Sequence, residues 1–165
     1  MDKQQKTVII ILAAVLLVAV VVLFSVLFGR KSEIQVLDFE KPPFEANAVF
    51  GKPTVEQSLM YRDIDVGGSF VFSICGCPVV ENNELVLYFS SNENNVPWLL
   101  IKVFDTDGNE IGKSGVLRAG EYVKSVTLSK IPEDGKVKVK IISYEPDTYY
   151  SMGSASAEVA FDKKQ

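Results

Sequence analysis

Residues Val8 to Phe28 form an apolar run in which only Ser25 carries a polar side chain. As a helix the run measures roughly 31 Å at 1.5 Å per residue, the thickness of a bilayer's hydrocarbon core. Seventeen of its twenty-one residues are Val, Ile, Leu or Phe. At about −0.3 to −0.6 kcal/mol each, insertion is favoured by roughly 5–10 kcal/mol. β-Branched residues weaken a helix in water, but in lipid the backbone has no partner except itself, so the run is expected to be helical.

Lys3 and Lys6 precede the run as in a secretory signal, yet the run is longer than a cleavable signal's apolar region. The segment after it, Leu27-Phe28-Gly29-Arg30-Lys31, lacks a small-x-small cleavage site, and no lipoprotein cysteine follows. A type IV pilin pattern is absent, since Lys6 leads straight into Thr7-Val8 and no acid occurs between there and Glu33. The expectation is a cytoplasmic tail over 1–6 and an uncleaved signal anchor over 7–29. Basic residues flank both ends of the span. A short N-terminal tail and a large C-terminal domain then favour an inside N-terminus and a domain outside the cytoplasm.

Residues 32–165 carry thirteen Lys and Arg against twenty Asp and Glu, a formal charge of −7. That balance argues against nucleic acid as a partner and against lying on anionic lipid. The chain has no histidine, which removes the commonest general base and the commonest metal ligand. No cofactor, metal site or catalytic constellation is expected, and the chain reads as a non-enzyme.

Residues 30–66 read as a tether with at most one strand, at Ser32–Phe39, because Pro42-Pro43 and Pro53 interrupt regular structure. The alternative is that part of this stretch lies on the domain as an edge, with Leu59, Met60 and Tyr61 as core contacts. From Gly67 onward the pattern is strand after strand. Phe70, Phe72 and Ile74 alternate, as do Leu85, Leu87 and Phe89, and Leu99, Ile101 and Val103. Tyr122, Val126 and Leu128 form a further set, and Ala155, Ala157, Val159 and Phe161 a last one. Val137, Val139 and Ile141 alternate with Lys136, Lys138 and Lys140, one dry face and one solvated face. Those lysines would guard the strand if it lay at an edge.

Polar breaks at Glu81-Asn82-Asn83, Asn92–Asn95, Asp105–Asn109, Ala119-Gly120 and Asp134-Gly135 separate the runs. About seven short strands in residues 67–165 predict an antiparallel β-sandwich, immunoglobulin-like or fibronectin III-like. A Cys…Trp…Cys pattern is missing, so an antibody-type domain is excluded.

Three features invite chemistry. Asp105-x-Asp107-Gly108-Asn109-Glu110 has calcium-loop residues but the glycine at position four, where an EF-hand needs it at six; a hairpin turn accounts for it. Cys75-Gly76-Cys77 would place two thiols on one face of a strand, with Cα atoms roughly 6.5–7 Å apart, at the limit of disulfide geometry. A strained bond there would suit thiol exchange, and two small side chains or a local bridge is the structural alternative. Trp98, Tyr144, Tyr149 and Tyr150 would suit stacking on sugar rings; Trp98 opens a strand and reads as core, whereas Tyr149-Tyr150 follows Glu145-Pro146-Asp147 and reads as surface.

Several strand-and-turn motifs carry a resemblance. They are Ile74-x-Gly76-x-Pro78, Asn95-x-Pro97-Trp98, Gly115-x-Leu117-x-Ala119-Gly120 ahead of Val126-Thr127-Leu128, Lys138-Val139-Lys140-Ile141, and Met152-Gly153-Ser154-Ala155. Across about residues 70–162 the chain resembles uncharacterised single-span membrane proteins of Gram-positive bacteria with an exported β-domain. The resemblance implies membrane anchoring and an extracytoplasmic domain; its pattern has an aromatic where Cys77 stands and no cysteines. The partner expected is another envelope protein or a cell-wall component.

Overall fold

The computed structural model describes Leu16 and residues 40–163. The proposed span, the tail before it and the Ser32–Phe39 strand lie outside these residues, apart from Leu16. Among the described residues no helix is long and apolar enough to cross a membrane.

Residues Lys41 onward form one compact unit. It is all-β and built of two sheets. The first holds β1 (Val49–Phe50), β2 (Tyr61–Asp65), β3 (Val71–Cys75), β4 (Val79–Glu81), β5 (Glu84–Ser91), β8 (Glu121–Thr127) and β11 (Asp162–Lys163). Its order is β1-β8-β5-β3-β2, with β4 beside β5 and β11 parallel to β4. The second holds β6 (Trp98–Phe104), β7 (Glu110–Lys113), β9 (Lys136–Tyr144) and β10 (Ser151–Ala160), in the order β10-β9-β6-β7.

Strands form where apolar residues recur at period two, because alternate side chains then share one dry face. In β9, Val137, Val139 and Ile141 are almost wholly buried, while Lys136 and Lys138 are exposed. They stand in register with β6: Ile101 faces Ile141 and Val103 faces Val139. Phe72, Leu85, Leu87 and Phe89 of the first sheet join them in one core. Each such side chain contributes about 1.5–3 kcal/mol on burial.

Turn chemistry closes the strands as the sequence predicts. Asn82 and Asn83 both take left-handed backbone between β4 and β5, a conformation asparagine tolerates. Gly108 supplies a φ of 86° in the β6–β7 hairpin.

The domain boundary expected at Gly67 moves back to Lys41. β2 pairs with β3 along its full length, and β1 pairs with β8. Phe44 bridges to Val116: the Val116 amide donates to the Pro43 carbonyl at 2.8 Å, and the Glu45 amide to the Val116 carbonyl at 2.9 Å. Prolines forbid a central strand but tolerate an extended edge, and so the stretch reads as linker while pairing as edge. Leu59 and Tyr61 are half-buried, and Met60 is exposed. Among the described residues, nine strands therefore stand in 67–165, where about seven were expected, and β1 and β2 precede them.

Candidate functional site

The outer face of the first sheet carries a row of polar residues in register. Asp63 faces Ser73, Ser73 faces Ser90, and Ser90 faces Tyr122. Period two puts these side chains on the face opposite Phe72 and Phe89. The Ser73 hydroxyl donates to Asp63 Oδ1 at 2.6 Å, and Tyr61 Oη lies 2.5 Å from Ser90 Oγ. Ser73 and Ser90 are nonetheless buried. They floor a recess of about 110 Å³ that opens between Asn92 and Phe50.

Phe50 forms the rim and is 79% exposed. Gly51 donates to the Gly120 carbonyl at 2.8 Å, which holds β1 against the turn before β8. A Cβ on Gly120 would come within 2.7 Å of the Phe50 ring, and its φ of 78° also favours glycine. The recess presents hydroxyls, an amide, the carboxylates of Asp63 and Glu93 and the amine of Lys52 beside an exposed aromatic ring. With no histidine in the chain, the Ser73–Asp63 pair lacks the usual base that activates a serine. It is suited to holding hydroxyl groups in fixed orientation. The sequence signal was serine at positions 73 and 90 inside otherwise apolar strands.

Three of the four aromatic residues expected to form a platform, Trp98, Tyr144 and Tyr149, come together, but as a small second core. Trp98 packs edge-on to Phe44 at 4.9 Å and to Tyr149 at 5.5 Å between ring centroids. Tyr144 is buried beneath, 6.0 Å from Tyr149. Two cations cap the cluster: the Arg118 guanidinium lies 3.7 Å from the Phe44 centroid and Lys41 Nζ lies 5.2 Å from that of Tyr149. Tyr149, read as surface, is thus half-buried, with a left-handed φ of 61° turning it inward. Tyr150, its neighbour, is 74% exposed.

The cysteines do not share a face. β3 ends at Cys75, and the chain bends through Gly76 and Cys77. Their amides donate to Met60 and Leu59 carbonyls at 3.1 and 3.2 Å. Cys75 is fully buried, Cys77 is exposed with its Sγ 3.6 Å from Met60 Sδ, and the two thiols are not joined. Burial, and secondarily the neighbouring Cys77, push the Cys75 thiol up to about 11.

Asp105 accepts from the Asn109 side chain at 3.0 and 3.2 Å and from its amide at 2.8 Å. Those bonds hold the Asp105 carboxyl below its ordinary value. The loop is a hairpin turn, with its carboxylate spent on the Asn109 side chain and amide. Among the described residues no three acidic, cysteine or histidine groups converge on a metal position.

No protein-family description matches the chain, and no curated protein or solved structure matches it either.

Proposed function

We propose that this chain is a single-pass membrane protein, anchored by Val8–Phe28, whose β-domain faces away from the cytoplasm. In this reading the domain is an immunoglobulin-like or fibronectin III-like sandwich that binds another envelope protein and catalyses nothing. The strand pairing supports the fold reading. β5 lies beside β8 in one sheet and β6 beside β9 in the other, the interlocked pairs of a Greek-key sandwich.

One observation carries the binding reading. β10 is ten residues long and, among the described residues, pairs only with β9. Natural sheet edges are blunted by charge, proline or shortness. β10 has a single charge, Glu158, no proline, and side chains that are mostly Ser, Ala and Gly. Its outer backbone groups are therefore open to strand addition by a partner segment.

A photoreactive side chain placed at Ser154 or Ser156 should crosslink one envelope protein in intact cells, and a Ser156→Pro change should abolish the crosslink. Equal labelling from Lys124, on the other sheet, would remove the support for edge binding. A second reading, a sugar-binding module, is favoured by the Asp63, Ser73 and Ser90 recess with Phe50 at its rim rather than by Tyr149 and Tyr150. Saturation-transfer contact between a soluble glycan and the Phe50 ring would select it.

A further inference from the structure

Lys113, Lys102 and Lys140 stand abreast across β7, β6 and β9, each in direct register with the next. Directly opposed residues share a face, so all three project from the outer side of the second sheet. Lys138 and Lys136 continue the face along β9 at period two. Like charges directly opposite destabilise a sheet, and this row sets three together. One is relieved: Lys102 bonds Glu110 at 2.7 Å. Glu158 is in register with Lys138.

Edge protection does not account for the lysines, because β9 is internal, with β10 on one side and β6 on the other. Nor does composition. Residues 41–165 carry thirteen bases and seventeen acids, a formal −4. Five of those bases and four of the acids, Glu110, Glu158, Asp105 and Asp107, lie on this face or at its end, leaving +1 here and −5 elsewhere. Asp105 and Asp107 bound the face at the β6–β7 hairpin.

We infer that this face binds a narrow, linear polyanion with a phosphate in each repeat, in addition to the partner proposed for the β10 edge. Strands lie about 4.8 Å apart, so the row spans roughly 10 Å. Flexible lysine stems let each ammonium meet successive charges of one chain laid across the strands. A bilayer or a duplex is too broad: either would bring anionic matter against the acidic remainder of the domain. A single chain laid along the Lys113–Lys102–Lys140 row lies clear of most of those acidic groups.

The test uses the full chain in neutral detergent and linear inorganic polyphosphate as the probe. Binding should be tightest at low salt. The Lys113→Gln, Lys138→Gln, Lys140→Gln triple variant should weaken it about tenfold or more and flatten the salt dependence by about two in log–log slope. Arginine at the same three positions should restore it, and the Lys124→Gln, Lys130→Gln variant should bind as wild type. An unchanged melting temperature in the Gln triple variant separates charge loss from misfolding. Failure of the wild-type chain to bind at low salt would overturn the inference. So would equal binding by the Gln triple variant, or tighter binding to anionic vesicles or duplex DNA than to polyphosphate.

Discussion

Glu45 Oε2 accepts a hydrogen bond from the Gly115 amide at 2.6 Å, joining positions seventy residues apart. A Cβ on Gly115 would lie 2.5 Å from the Glu45 backbone, so the two segments touch backbone to backbone. The residues just after Lys41 are thus part of the folded domain.

Residues 41–165 should therefore fold as an independent unit, whereas 67–165 should not reach the same state. The shorter piece loses β2, the Phe44 contact with Trp98 and the cover over Ser73. Circular dichroism and thermal melting of the two fragments decide this. Gly115→Ala in the longer one should cost about 1–3 kcal/mol, since backbone must move to admit the methyl group. Equal melting of both fragments would refute the boundary.

The alternation along β9 makes a paired prediction. Val139→Asp buries a charge in a fully enclosed site and should cost several kcal/mol, a large part of a small domain's stability. Lys138→Gln, one residue away and exposed, should stay within about 0.5 kcal/mol. Urea unfolding midpoints measure both; similar shifts would contradict the face assignment.

Cys77 should take up one equivalent of iodoacetamide under native conditions at pH 8, and Cys75 should react only after unfolding. Two equivalents from the native chain would contradict the burial of Cys75. The raised Cys75 value also has a stability consequence. The thiol ionises at about 9.0 when unfolded and about 11 when folded, so the folded state holds its proton longer. Its contribution is intact below pH 9 and lost as pH rises towards 11. Relative to Cys75→Ala, wild-type stability should fall across that window. Replacing both cysteines should leave localisation and partner capture intact.

Asp105 has the opposite sign. Its carboxyl is held below the ordinary 3.8, first by the Asn109 side chain and then by the Asn109 amide. That contribution is present above the ordinary value and disappears as pH falls through the lowered one. Asn109→Ala should be less stable than wild type at neutral pH, and the gap should narrow on acidification. A gap constant with pH would assign the loss to turn geometry alone.

What could be read from the chain follows from how each segment is buried. β9 has one wet face and one dry face from Lys136 to Lys140, and its period-two pattern survives in the sequence, whereas β6 reads as an apolar run because Trp98 and Leu100 enter the second core. β1 and β2 are edges with little buried surface. Tyr61-Arg62-Asp63-Ile64-Asp65 shows only one clear apolar position, and the neighbouring prolines pointed to linker. The Cys75–Cys77 pair was misplaced because spacing assumes a strand that continues, whereas β3 stops at Cys75. Tyr149 was misplaced because loops default to solvent, and only the left-handed turn and Lys41 bring it inward. The Ser73 and Ser90 recess needs three strands in register, information that no single segment carries.

Placing the start of the domain at Lys41 changes the length of its leash. If the span ends near Phe28, residues 29–40 remain, at most about 43 Å when fully extended. A tether running to residue 66 would have allowed about 135 Å. Search volume scales with the cube of reach, so on the anchored reading the shorter leash would confine the domain to a space about thirtyfold smaller. On the anchored reading proposed above, a ligand fixed in the same membrane would be met at correspondingly higher effective concentration, and a ligand farther out would be beyond reach however well it fits.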